Sequence, residues 1–346
     1  MTTRLDSALP SSSDRDLVTA ALEHDPVKAA AGWHRWRDAT TVADSPPHTH
    51  ALLAMVADTV PHEELGTEAS TLRGLRRRAW AVNQRLRARW ATLESSLRER
   101  GIPAELVRGS AFLLPPSETF RPISRLDIQV PADAWATTAR YLIESGWRIK
   151  EPRSRSDSGL LLESDDLVSV NLTWAPGFPT ALRRPMKFTS SDPASRAQRA
   201  VLAIVEGMPS PPYAPLLWPV DVSVLVTSGP LAASSDPGVN TGGEFTWQDV
   251  TRTAAEARVS PLIGTALDWL SRTIGAPIPA SVLSELATGP MDRWLMRRLE
   301  RRSTRRSDAD AIRRRLDMLS VGRRLGVDTA FGAPARTLST LRTRPL

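Results

Sequence analysis

The sequence predicts an α+β protein, in which a mixed-sheet core lies between N-terminal and C-terminal helical regions. Three observations carry this prediction. A long amphipathic helix pattern covers residues 68–100, short strands alternate with one helix from 104 to 174, and helical periodicity returns after about residue 190. Strand, turn, strand, helix and further strands in this order are typical of an α/β or α+β sheet.

These patterns divide the chain into four predicted regions. With 346 residues, of which 41% are hydrophobic, the chain is long enough for a core domain with helical additions. The regions are an N-terminal helical region (1–66), a core (67–190), a C-terminal helical domain (191–290) and an Arg-rich helical tail (291–346).

The N-terminal region contains apolar residues at helical spacing, which predicts short helices over 14–25, 29–39 and 51–60. The helix predicted over 68–100 is clearer, because its apolar residues recur at steps of three and four and Gly101 follows it. We expect its arginines to form a solvated surface. We expect the tryptophans at helical apolar positions to pack in the core. The predicted stripe comprises Leu72, Leu75, Ala79, Val82, Leu86, Trp90, Leu93 and Leu97, and the core tryptophans include Trp80, Trp90 and Trp269.

Residues 104–174 predict the sheet. Strands are expected over 104–108, 126–130, 147–150, 160–163 and 167–174, with a turn at Gly109 and Ser110 and a helix over 131–146. Further helices are expected over 194–207, 216–226, 246–259, 261–275 and 278–287, with a loop over 228–244.

Composition excludes several kinds of chemistry. The chain has no cysteine, so it has neither disulfides nor thiolate metal sites. All five histidines lie in the first 62 residues, so a site built later in the chain works without imidazole. We find no apolar run of membrane-span length and no signal-peptide core, and we therefore expect a cytoplasmic protein without a membrane partner.

The basic charge is concentrated in the tail. Residues 291–346 contain 15 arginines against 6 acidic residues, whereas the whole chain has a formal charge of +7. Such a tail could bind nucleic acid through phosphate contacts. Only 3 of the 45 basic residues are lysine and no aromatic platform is interleaved. A solvated helix or a docking helix for an acidic partner is therefore the preferred interpretation.

The segment from 101 to 130 carries a recognisable order of motifs. Gly101-Ile102-Pro103 leads into a strand, Arg108-Gly109-Ser110 follows, Arg121-Pro122 comes next, and Asp127 lies on the next predicted strand. This order resembles the motif region of an uncharacterised nucleotidyltransferase family within the polymerase-β superfamily.

Three downstream segments extend the resemblance, so that it spans about residues 68–290. They are VNLTW at 170–174, the segment around Trp218 and Asp221, and the helical pattern that begins at 245. The resemblance implies a nucleotidyltransferase-like core. It also implies a bacterial context that includes peptide natural-product gene clusters, and hence a protein or peptide partner as one alternative.

The resemblance further implies a cofactor and a substrate. Nucleotidyl transfer uses two Mg²⁺ ions, held by three carboxylates, which neutralise the phosphates of a nucleotide triphosphate and align the displacement. Carboxylates one residue apart on a strand project to the same face, and oxygen ligands suit Mg²⁺. The glycine turn lets backbone N–H groups approach the phosphates.

This chain departs from the family at the metal positions. Arg125 stands where the first aspartate is expected, Asp127 occupies the second position, and Asn171 occupies the third. Arg108 replaces the family lysine and keeps a phosphate-binding charge. Asp127 is the single candidate catalytic and metal-binding residue. The candidate substrate- or phosphate-binding residues are Arg108, Gly109, Ser110, Arg121, Arg125 and Asn171.

The sequence leaves two interpretations of Arg125 open. Its guanidinium substitutes electrostatically for a metal and keeps an anion-binding pocket, or it points to solvent on a decayed site. A relocated metal site that combines Asp127 with another carboxylate is a further alternative, although a polar turn is the preferred interpretation of residues 164–166. The other carboxylates in question are Glu118, Glu163, Asp165 and Asp166.

Three functions follow from these alternatives. The first is a family member with a degenerate metal site that binds a nucleotide, another anionic ligand or a protein partner. The second is an active Mg²⁺-dependent nucleotidyltransferase with rearranged carboxylates. The third is a nucleic-acid or peptide-binding module that uses the basic tail. Whether the chain is an enzyme is left open by the sequence.

Overall fold

The fold was analysed in a computed structural model, which describes residues 9–46, 49–113, 120–152, 159–173, 193–208, 216–227 and 246–291. The predicted α+β class is confirmed: helices flank a five-stranded mixed sheet. The predicted 228–244 loop and nearly all of the tail lie outside the described residues.

The helices that the structure describes agree with most of the predicted ones. They are α1 (Ser12–Leu22), α2 (Pro26–Ala39), α3 (His50–Thr59), the short α4 (His62–Leu65), α5 (Ala69–Glu99), α6 (Trp135–Glu144), α7 (Pro193–Gly207), α8 (Trp218–Thr227), α9 (Trp247–Glu256), α10 (Ser260–Ile274) and α11 (Ala280–Thr288). The strands are β1 (Glu105–Leu106), β2 (Leu126–Gln129), β3 (Arg148–Pro152), β4 (Gly159–Glu163) and β5 (Ser169–Thr173).

The chain forms two compact units. The helical unit comprises Met1–Leu93, Leu106–Ser124 and Pro176–Arg305, and the sheet unit comprises Glu94–Glu105, Arg125–Ala175 and Arg306–Leu346. Both units are discontinuous in sequence, whereas the four predicted regions are continuous. The boundaries of those regions stay predictions.

One hydrophobic core serves the helical unit. It combines side chains that come from before residue 73 with side chains that come from after residue 196. Trp33 and Trp36 of α2 stack with ring centroids 5.4 Å apart. The ring centroids of Trp218 and Trp269 lie 5.5 Å apart. The two flanking helical regions, which the sequence presents separately, therefore share a core, because neither amphipathic set buries its apolar face alone.

Helix α5 confirms the predicted stripe in part. Leu72, Leu86 and Trp90 are buried, but Trp80 is 53% exposed, so the prediction that it packs in the core is wrong. The reason is geometric: Ala79 lies on the stripe, and the next residue is rotated by about 100° away from it. At the end of the helix, Gly101 adopts a φ of +69°, and the Ile102 N–H donates to the Leu97 carbonyl at 2.9 Å.

The sheet has the strand order β1-β2-β5-β4-β3. β2 runs parallel to β5, whereas β5 with β4 and β4 with β3 are antiparallel, which makes the sheet mixed as predicted. One face is apolar, since alternate residues of β2, β4 and β5 are buried leucine, isoleucine and valine side chains. The apolar set is Leu126, Ile128, Leu160, Leu162, Val170 and Leu172.

Two local predictions differ from the structure. The strand predicted over 104–108 is reduced to the two residues of β1. The turn predicted at Gly109 and Ser110 lies within a 3₁₀ segment, Arg108–Leu113, which Arg108 enters with a φ of +55°. None of the helices in the described ranges is both long and apolar enough to cross a membrane.

Candidate functional site

The polar face of the sheet carries the candidate metal positions. Asp127 on β2 and Asn171 on β5 are direct register partners in the parallel pair. Parallel partners project to the same face, so the two side chains are neighbours although 44 positions separate them in sequence. Both residues are buried: Asp127 is 6% exposed and Asn171 is 1% exposed.

The carboxylate of Asp127 accepts hydrogen bonds from two of the predicted site residues. The Asn171 Nδ2 amide donates to Asp127 Oδ1 at 2.6 Å. The Arg125 Nε–H donates to the same carboxylate, at 3.1 Å from Oδ1 and 3.3 Å from Oδ2. The structure therefore brings these three predicted residues together, and the guanidinium of Arg125 contacts Asp127.

This arrangement does not fit a magnesium ion. A metal site needs oxygen atoms that converge on the cation, but Arg125 and Asn171 present N–H donors to Asp127. The three side chains carry no net charge, because the guanidinium cancels the carboxylate and the amide is neutral. Three carboxylates at these positions would instead carry three negative charges, which attract divalent cations.

The oxygen of the Asn171 amide faces away from Asp127. A Cβ atom built on Gly159 of β4 would lie 2.7 Å from Asn171 Oδ1, so the amide occupies space that a side chain at position 159 would need. This oxygen is buried and has no hydrogen-bond partner among the described residues. The glycine therefore allows Asn171 to turn its nitrogen to the carboxylate.

The Arg125 side chain is partly accessible. Its side chain is 34% exposed, and its hydrogen bonds to Asp127 use only Nε. Within the described ranges, no hydrogen bond of Nη1 or Nη2 is found. Two donors of a guanidinium in one plane match two oxygens of a phosphate or carboxylate.

Three of the four carboxylates considered for a relocated metal site have other partners. Glu163 accepts from Lys150, and this hydrogen bond lowers the pKa of Glu163. Asp165 is paired with Arg148 at 2.7 Å, and Asp166 accepts from Ser164. Glu118 lies outside the described residues. In the part of the chain that the structure describes, no three His, Cys, Asp or Glu residues are grouped to hold a metal ion.

The other four predicted site residues lie in the helical unit. Arg121 is buried, and its guanidinium forms a two-pronged ion pair with Asp221 of α8, in which the Nη2–Oδ2 distance is 2.9 Å. Its Nη1 donates to the Pro122 carbonyl at 3.2 Å. Because all three guanidinium nitrogens are engaged within the protein, we leave Arg121 out of the proposed ligand-binding set.

Gly109 is packed against the guanidinium of this ion pair, and Ser110 is buried next to it in sequence. The position of a Cβ on Gly109 is filled by the guanidinium of Arg121, so only glycine fits there. Ser110 is 1% exposed, and its hydroxyl donates to the Val107 carbonyl at 2.7 Å. Arg108 begins the segment in a left-handed conformation. The predicted role of this turn in phosphate binding stays a prediction.

One residue of this cluster was missed at the sequence level. Asn83 of α5 is buried, its Nδ2 donates to the Arg121 carbonyl at 2.7 Å, and its Oδ1 accepts from the Ile123 N–H at 2.9 Å. It therefore fixes the backbone on both sides of Pro122. The one signal in the sequence was a polar residue next to the apolar stripe of a helix.

The class of this protein has to be inferred from its own residues. No family model, no curated protein sequence and no solved structure matches this chain.

Proposed function

We propose that this chain is a nucleotidyltransferase-family protein with a degenerate metal site, which binds a nucleotide or another anionic ligand without Mg²⁺. The observation that carries the proposal is the contact of the Arg125 guanidinium with the Asp127 carboxylate. The motif order that resembles the family supports the protein class, and the donor set around Asp127 supports the loss of the metal.

The proposed role of Arg125 is to supply the positive charge that a metal supplies elsewhere in the family. Its Nε–H donates to Asp127, and Nη1 and Nη2 are the donors proposed to bind phosphate oxygens of the ligand. A fixed single charge attracts a phosphate but does not provide two metal ions that bind both the attacking and the leaving oxygen. Binding is therefore expected to persist while transfer is slow or absent.

Calorimetry with ATP, CTP, GTP and UTP tests this proposal. We expect binding that survives EDTA in the full chain and is lost in Arg125→Ala. Arg148→Ala is the matched control, because Arg148 lies in the same unit and its exposed guanidinium is paired with Asp165. Tight binding that requires Mg²⁺, together with pyrophosphate release, would instead show an active transferase with rearranged carboxylates.

Deletion of residues 292–346 separates the proposal from a function located in the tail. We expect nucleotide affinity to be unchanged by the deletion, because Arg125, Asp127 and Asn171 lie outside the deleted segment. A ligand whose binding is steeply salt-dependent and disappears with the tail would instead support a nucleic-acid or peptide-binding module. Thermal unfolding of the shortened chain checks that the remaining residues still fold.

A further inference from the structure

The outer face of α5 combines a strong positive charge with an exposed aromatic ring. Residues 69–93, all in the helical unit, contain no acidic residue. Trp80 lies among these residues with 53% of its surface exposed. An exposed indole among arginines places a flat stacking surface next to several positive charges. The arginines of this segment are Arg73, Arg76, Arg77, Arg78, Arg85, Arg87 and Arg89.

Three of these arginines have no partner among the described residues. Arg76 is paired with Asp58, and Arg87 donates to the Leu113 carbonyl at 2.7 Å. Arg77, Arg78 and Arg85, in contrast, form no ion pair or hydrogen bond within the described ranges, and all three are exposed. Their charge is therefore not neutralised by the described protein that surrounds them.

The helix places these side chains on one side. At about 100° per residue, Arg77, Arg78 and Arg85 fall within an arc of about 100°, and Trp80 lies about 60° outside one edge of that arc. The apolar stripe with Leu72 and Leu86 occupies the opposite side of the helix. We call the four exposed side chains Arg77, Arg78, Trp80 and Arg85 the arginine-tryptophan face. It extends about 12 Å along the helix axis, at 1.5 Å per residue.

We propose that the arginine-tryptophan face binds single-stranded nucleic acid, with a base stacked on Trp80 and phosphates bound by Arg77, Arg78 and Arg85. Guanidinium groups match phosphate oxygens in pairs, and an indole offers a stacking surface for any base. Its residues are different from those of the nucleotide site at Arg125 and from those of the basic tail. An acidic peptide without aromatic side chains satisfies the arginines equally well but leaves the indole without a stacking partner.

The test uses a fluorescent 12-nucleotide single-stranded oligonucleotide and the full chain. Removal of the stacking surface in Trp80→Ala is expected to weaken binding about 5- to 150-fold. In Arg77→Gln/Arg78→Gln/Arg85→Gln, the slope of log K against log salt is expected to fall by about 2, at about 0.7 for each phosphate that is no longer neutralised. Both variants replace exposed residues, so the thermal midpoint should stay near that of the unchanged chain.

A matched control removes three other arginines. Arg98, Arg252 and Arg272 are exposed and paired with Glu94, Asp249 and Asp268. Their triple replacement by glutamine removes the same formal charge as the triple variant of the arginine-tryptophan face. It leaves Trp80 in place and removes only guanidinium groups that are already paired with carboxylates. We expect this control to change the salt slope by much less than the variant of the arginine-tryptophan face.

Cross-linking then locates the bound strand. An oligonucleotide that contains 5-iodouracil, irradiated in complex with the full chain, is expected to label Trp80 in the peptide map. Labels found only within residues 292–346, or equal affinities of Trp80→Ala and the unchanged chain, would overturn the proposal. Polyglutamate that competes as strongly as the oligonucleotide would also overturn it, because the face would then be a general polyanion surface.

Discussion

Arg125 and Asp127, which are separated by one residue at the start of β2, form an ion pair with an Nε–Oδ1 distance of 3.1 Å. Under the proposed family assignment, we would expect carboxylates that share a cation at both positions. Here the positive charge next to Asp127 is the guanidinium of Arg125. The Asn171 amide completes the arrangement from β5 at 2.6 Å, so the buried carboxylate is satisfied by two side chains.

Introduction of carboxylates at positions 125 and 171 should make the stability of the chain depend on magnesium. The double variant Arg125→Asp/Asn171→Asp places three carboxylates together, and we expect their repulsion to lower its thermal midpoint in EDTA. Mg²⁺ that binds the folded state should raise the midpoint again. Thermal unfolding with and without Mg²⁺ measures this. Arg125→Asn adds no acid, and its thermal midpoint should not change with Mg²⁺. An equal rise of the midpoint in both variants would show that the three carboxylates do not form the magnesium site.

Two glycine-to-alanine substitutions are expected to have opposite signs. Gly159→Ala puts a Cβ 2.7 Å from Asn171 Oδ1 and should destabilise the chain by about 1–3 kcal/mol. Gly74→Ala, on the exposed side of α5 with nothing within 4 Å, should stabilise it by about 0.5–1 kcal/mol. Urea unfolding measures both changes. A neutral Gly159→Ala would mean that the Asn171 amide is free to turn.

The ion pair between Arg121 and Asp221 should be costly to break. Asp221→Asn leaves a buried guanidinium without its counter-charge, which costs about 3–5 kcal/mol. The exposed pair of Arg272 and Asp268 is the control, where Asp268→Asn should cost less than about 1 kcal/mol. Urea unfolding measures both values, and similar costs would contradict the assignment of Arg121 to a structural role.

Gly109→Ala should act through the same ion pair. Its Cβ requires the Arg121 guanidinium to move, so it breaks the contact that Asp221→Asn also breaks. The decrease in unfolding free energy in the double variant should therefore be smaller than the sum of the two single decreases. A double-mutant cycle from urea unfolding measures the coupling, and strict additivity would show that Gly109 and Asp221 act independently.

Glu163 should contribute stability at neutral pH that is lost in acid. The hydrogen bond from Lys150 lowers the pKa of Glu163, so the folded state binds a proton less readily than the unfolded state. The contribution is present above the unfolded pKa and disappears as the pH falls through the lower folded pKa. Denaturant unfolding gives the unfolding free energy as a function of pH for the unchanged chain and for Glu163→Gln. The two free energies should converge at acidic pH. A difference that is constant with pH would contradict this coupling.

Much of the secondary structure was predictable because it is encoded by local spacing. The stripe of α5, the end of that helix at Gly101 and the strand that carries Asp127 follow from residues within a few positions of one another. Trp80 shows the limit of this reasoning, since a step of one residue on a helix separates a buried position from an exposed one. The sequence also showed which residues occupy positions 125, 127 and 171.

The partners of the candidate site residues were not predictable from local patterns. The ion pair of Arg121 joins residues 100 positions apart, and the sequence presented Arg121 as a ligand-binding residue. Asn83, which holds the backbone next to it, carries no motif. Hydrogen-bond partners of buried groups depend on how distant elements pack, and short-range periodicity contains no information about that packing.

The sequence by itself determined the α+β class, most of the helices and the presence of Arg125 and Asn171 at the positions where the resemblance leads us to expect acids. Only the tertiary structure decided that the guanidinium lies on Asp127 rather than in solvent, and that the amide turns its nitrogen to the same carboxylate. The physical reason is the register of the parallel pair β2 and β5, which makes neighbours of residues that are 44 positions apart.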